Sequence, residues 1–95
     1  MKELKVNEIQ IKIKNLISEN INMIDFQIID ESHKHANHKK DTSGGHFKLF
    51  IVSDDFENMT LINRHKLIYD CLNSMMKKDI HAISMKLITN QEFNN

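Results

Sequence analysis

Proline and tryptophan are both missing from this 95-residue chain, and glycine occurs only as the adjacent pair Gly44 and Gly45. Backbone punctuation is therefore concentrated at one place, and no internal repeat or low-complexity tail accompanies it. A single cysteine, Cys71, excludes an internal disulfide framework and fits a reducing compartment. No apolar run approaches the roughly 20 residues of a bilayer span, and the start MKELKVNEIQ lacks the apolar core of a secretory signal. An excess of either charge is lacking too. Thirteen Lys and Arg balance 13 Asp and Glu, so no global field draws the chain onto nucleic acid or acidic lipid. The cytoplasm is the default location. A trimmed mitochondrial form would look the same, and a nuclear one is equally compatible.

The composition that remains, 40% apolar and 27% charged, belongs to an ordinary globular protein with one modest core, so residues 1–95 are expected to form a single domain. Histidine is unevenly placed. His33, His35, His38 and His46 fall in the stretch DESHKHANHKKDTSGGHF, which has almost nothing apolar to bury. From about residue 31 to 45 this stretch reads as the one long loop, and loops of that length in small domains usually serve a function.

Hydrophobic periodicity supplies the elements around the loop. Ile24, Phe26 and Ile28 alternate with Asp25 and Gln27, as do Phe47, Leu49 and Ile51 with His46 and Lys48. Two strands follow, joined as a hairpin by the His-rich loop. Leu61, His65, Ile68, Leu72 and Met75 step by three and four along a helical face, with a break expected near Asn63 and Arg64. Ile83, Met85 and Leu87 alternate with Ala82, Ser84 and Lys86 in a third strand with one semi-polar face, so helices should cover only the other face. At the N-terminus Ile9, Ile13, Leu16 and Ile17 suit a helix, although IQIKIK also alternates like a strand; the length of the pattern favours helix. The expected architecture is a two-layer α+β sandwich.

Most of the chemistry-bearing residues have two readings. H-x-H-x-x-H in the loop suits either a solvated polar segment or a metal grip, and neither C-x-x-C nor H-E-x-x-H supports a dedicated zinc site, so zinc capture by His33, His35 and His38 rests on weak spacing. Strand alternation puts His81 on the side of Ile83 and Met85, either as a satisfied core-edge imidazole or as a ligand. His65 lies mid-stripe and reads as buried and hydrogen-bonded. Cys71 reads as a packed thiol with no cation nearby to activate it, and Met75 and Met76 as core filler. Arg64, Lys66, Lys77 and Lys78 could form a basic edge for nucleic acid. Against that reading, the net charge is zero, Phe50 is the one candidate stacking aromatic on the open sheet face, and the G-x-x-G phosphate clamp is missing. No oxyanion arrangement or fixed base surrounds Ser32, so an enzyme is not expected.

The blocks DES-x-K-H, GHFKLFIVSDDF, LINRHKLIYDCL and IHAISM, in this order and spacing, resemble those of the BolA family over about residues 24–92. The most specific parts are Arg64-His65-x-x-x-Tyr69 and His81-Ala82-Ile83. The resemblance implies an αββααβ fold similar to class II KH domains, with a three-stranded mixed sheet and helices on one face. It also implies a partner, a monothiol glutaredoxin with a CGFS motif, and a [2Fe-2S] cluster shared between glutaredoxin, glutathione and the BolA-like chain. The family's ligands fall on His81 and on a loop histidine, His35 or His38, with His46 close by. Departures exist. Asn58 stands where the family often has glycine, Lys66 completes what is usually an Arg-His-Arg run, and Asn90 replaces a proline often found after the last strand. Asn is the residue that next best tolerates a left-handed backbone, so the turn at Asn58 should survive.

Chemistry makes the implied partner necessary. Imidazole binds iron, and in place of thiolate on a [2Fe-2S] centre it raises the reduction potential. Two histidines cannot complete the coordination of such a cluster, and the chain has no thiolate to spare. The expectation is a non-enzymatic protein, monomeric alone, that pairs with a glutaredoxin in cluster assembly, transfer or iron sensing. The alternative is a transcriptional regulator binding DNA through Arg64 and Lys66.

Overall fold

The computed structural model describes residues 5–32 and 45–95. His33, His35 and His38 lie outside the described residues. Helix α1 spans Lys5–Ser18, strand β1 Asp25–Asp30, strand β2 Gly45–Val52, helix α2 Leu61–Cys71, strand β3 Ile80–Ile88 and a short helix α3 Asn90–Asn94. Single 3-10 turns at Asp54–Phe56 and Asn73–Met75 precede and follow α2. β1 pairs antiparallel with β2, and β2 parallel with β3, giving the sheet order β1-β2-β3. The expected α+β class, mixed three-stranded sheet and hairpin are all present. Of the expected helix pair, the first member is only the 3-10 turn, and α3 is an addition.

The N-terminal ambiguity resolves to helix because Ile13 and Ile17, four residues apart, are both fully buried, with Ile9 and Leu16 packed beside them. These side chains and those of Ile68, Leu72 and Met75 cover the sheet face that carries Phe47, Leu49, Ile51 and Leu87. Burial of each such side chain is worth about 1.5–3 kcal/mol, so one core holds both layers. Two sequence expectations fail at element ends. Ile24 precedes β1 and is 55% exposed, and Leu61, the first residue of α2, is 64% exposed. Periodicity identified the helix but not the residue at which its buried stripe begins. The helix breaks at its cap, where the Thr60 side chain accepts from the Asn63 amide, and not at Asn63 and Arg64.

Asn58 adopts φ 66°, the left-handed conformation anticipated for the position the family gives to glycine. Gly45 is required for a different reason: a Cβ there would lie 2.6 Å from the Phe47 ring. Phe47 can then fold back over the start of β2 and fill the core.

Candidate functional site: the histidine end of the sheet

Gly45 and Ile80 open the parallel β2–β3 pairing, and the register slips immediately afterwards, so that His46 faces Ala82 and His81 is the extra residue. Such a bulge disturbs the strict alternation of a strand. Ile80 is buried and His81 exposed, which corrects the expectation that His81 shares the core side of Ile83 and Met85. Alternation counted back from Leu87 cannot anticipate an inserted residue. The consequence is chemical: the imidazole stands at the rim, in contact with solvent, rather than in a satisfied core-edge position.

His46 and His81 have ring centroids 4.9 Å apart with planes inclined by 44°. This is too tilted for stacking, yet close enough for one nitrogen of each ring to reach a common metal ion. Local hydrogen bonds fasten the backbone around His46 and the start of β2. The His46 amide donates to Ser32 Oγ at 3.0 Å, the Ser32 amide donates to Asp30 Oδ1 at 2.8 Å, and the Glu31 amide donates to the His46 carbonyl at 2.7 Å. The Gly45 amide donates to the Asp79 carbonyl at 3.0 Å, fastening the start of β2 to the residue before β3. The last histidine of the His-rich stretch and the opening of β3 thus converge. Among the described residues no three His, Cys, Asp or Glu side chains group to hold a metal, so the described part of this end offers two imidazoles and further donors would have to join them.

Arg64, a candidate phosphate contact, is placed elsewhere and otherwise. It is 5% exposed, and its guanidinium donates to the carbonyls of Met59 (3.2 Å) and Leu87 (3.0 Å) and in bidentate fashion to Glu92 (2.7 and 3.1 Å). These bonds hold Glu92 down to about pKa 2, with help from the Thr89 amide. The Thr89 side chain and Glu92 complete a capping box that starts α3. Arg64 is therefore internal, and the proposed basic edge loses its centre; Lys66, Lys77 and Lys78 remain exposed.

His65 is half-buried with its ring between the carbonyl oxygens of Leu61 (Nδ1, 2.9 Å) and Met85 (Nε2, 3.2 Å), as its position mid-stripe suggested. Alternate β3 residues turn their backbone groups away from β2, since the Ile88 carbonyl instead accepts from Ser53 next to β2. The Met85 and Leu87 carbonyls thus face the outer edge, and consecutive residues His65 and Arg64 occupy them. The Arg-His pair works as an edge guard. Sequence reading had the residues but no signal for that partnership. Cys71 is half-buried, and burial, reinforced by neighbouring Asp70, raises its pKa, as expected for an inert thiol.

A mixed sheet packed with helices, a guarded β3 edge and an imidazole pair at the strand mouth define a small α+β domain with its candidate site at one end. The profile of the BolA-like protein family matches residues 17–92. The chain belongs to the BolA-like family. The solved BolA domain of SufE1 from Arabidopsis thaliana superposes with a TM-score of 0.74 at 35% identity, over 86% of this chain and 92% of that one. The curated SufE-like protein 1 of the same plant is 34% identical over 78% of this chain, but the match spans only 22% of that protein. A Haemophilus influenzae protein named DNA-binding transcriptional regulator BolA is 40% identical over 66% of this chain and 61% of its own length.

Proposed function

We propose that this chain is the BolA-like partner of a monothiol glutaredoxin and shares a [2Fe-2S] cluster with it, for cluster assembly, transfer or iron sensing. The observation that carries the reading is the His46–His81 pair, with ring centroids 4.9 Å apart at the rim of the sheet. His81 would supply one imidazole, and the second would come from the His-rich stretch: His46 by its position here, or His35 or His38 by the family resemblance. The donor chemistry fits, because neutral imidazole is a ligand for iron and the thiolates the chain lacks would come from glutaredoxin and glutathione. With histidine on one iron, such a cluster has a raised reduction potential and a bond that protonation can break. The chain's own task would be to keep the two rings close together at the rim, where a partner can dock; the Ser32, Asp30 and Gly45 hydrogen bonds support this by fastening the backbone around His46.

The test is to mix the chain with a CGFS glutaredoxin, glutathione, ferrous iron and sulfide, and to follow size-exclusion elution and visible circular dichroism. A heterodimer with a spectrum distinct from that of the glutaredoxin homodimer, lost with His81→Ala, supports the reading. The glutaredoxin spectrum unchanged by addition of the chain would reject it, and a heterodimer formed equally without iron would reduce it to a cluster-independent complex.

A second reading, a DNA-binding regulator, is favoured by the name of the Haemophilus influenzae relative. Since Arg64 is internal, it would depend on exposed Lys66. It predicts a shift of duplex DNA at low salt that Lys66→Ala weakens.

A further inference from the structure

The sheet face opposite the helices has a pattern that the histidine site does not use. Its outward positions form two rows across the strands: Ile29, Lys48 and Ser84 in one, Gln27, Phe50 and Lys86 in the next. None of these six is a carboxylate. They line a shallow apolar depression of about 260 Å³ with the two lysines on its floor strands. Phe93 of α3, 50% exposed, extends the aromatic surface, with its ring 5.8 Å from that of Phe50. Among the described residues Lys48 pairs with half-buried Glu31 at 4.0 Å, a long and weak contact.

We propose that this open sheet face binds single-stranded nucleic acid, with Phe50 stacking on a base and Lys48 and Lys86 meeting backbone phosphates. An aromatic ring on an open sheet between cationic side chains is the combination that holds unpaired bases: every base has a π-face, and every linkage a negative charge. Gln27 and Ser84 stand beside Phe50 and Lys48 with donors and acceptors for base edges. A duplex fits less well, because its bases are stacked internally and cannot reach a ring in a depression. A second copy of this chain fits less well too, because face-to-face packing would oppose lysine to lysine. The complementary ligand must be anionic and carry flat apolar groups. The inference is independent of the glutaredoxin reading, whose residues lie at the strand mouth.

Fluorescence anisotropy with a labelled oligo-dT single strand at low salt tests it, alongside the same length of duplex and an acidic peptide. Binding to the single strand should weaken with a log–log salt slope of about −1.4 for two phosphates, a roughly sevenfold loss between about 50 and 200 mM salt. Phe50→Leu, which keeps an apolar group, should cost about tenfold through lost stacking. Lys86→Glu should weaken binding further than Lys77→Glu, which makes the same charge change on the exposed turn before β3. Circular dichroism of each variant verifies folding. Absence of binding at low salt, preference for duplex or acidic peptide, or equal effects of Lys86→Glu and Lys77→Glu would each overturn the proposal.

Discussion

The two ends of β3 differ in how they treat polar groups. At Leu87 and Thr89 the carbonyl, the hydroxyl and the Arg64 guanidinium are all engaged with one another or with Glu92, and Leu87, Thr89 and Arg64 are themselves buried. At His81 the strand bulges, the side chain is exposed, and the neighbouring ring is a second imidazole. The first end spends its polar chemistry on the fold. The second keeps ligand-type nitrogens at the surface while the backbone beneath is fastened. Charge alone does not single out the candidate site: among the described residues the buried charged one, Arg64, belongs to the end whose polar groups serve the fold.

This contrast can be broken by substitution. Arg64→Ala should have the largest effect on stability, about 2–4 kcal/mol, because the Leu87 and Met59 carbonyls lose their donor and the β3 edge loses its cover. Urea denaturation reads this as a lower midpoint at constant slope. Gly45→Ala, at the histidine end, should cost about 1–3 kcal/mol by driving a methyl into the Phe47 ring, and it should also disturb the imidazole pair. Asn58→Ala should lose about 1 kcal/mol through the left-handed backbone, while Asn58→Gly should not destabilise.

Acid sharpens the same comparison. The Glu92 carboxyl has a pKa lowered from 4.5 to about 2 in the folded chain, so its stabilising contribution is full above the unfolded value and is lost as pH falls toward 2. Glu92→Gln should flatten that part of the stability–pH curve measured by thermal melts between pH 5 and 2. Screening at a half-exposed group keeps the effect modest. Smallest of all, His81→Ala should change stability by no more than about 0.5 kcal/mol, as for an exposed residue, while abolishing the cluster spectrum. Stability and cluster formation would then separate between the two ends of one strand.

The sequence was informative where periodicity and burial coincide. Ile13 and Ile17 declared α1, Phe47, Leu49 and Ile51 the inner face of β2, and Ile68, Leu72 and Met75 the buried stripe of α2. Asn58 was readable because few residues tolerate its conformation. What escaped depends on contacts distant in sequence. The bulge before Ala82 is an irregularity that alternation cannot contain, and it moved His81 from the core side to the rim. The burial of Arg64 depends on Glu92, 28 residues later, and on a carbonyl at the strand edge. The resemblance pointed to His81 with His35 or His38 and set His46 only close by; the approach of His46 to His81 could not be read from spacing, since 35 positions separate them.

The central claim is that imidazole nitrogens of this chain bind the iron of the shared cluster. It is tested most directly by labelling the histidines of this chain with nitrogen-15, assembling the cluster with unlabelled glutaredoxin and glutathione, reducing it, and recording nitrogen hyperfine couplings by pulsed electron paramagnetic resonance. The account predicts strong nitrogen-15 couplings that His81→Ala removes. A reduced cluster in the heterodimer without any such coupling would contradict it.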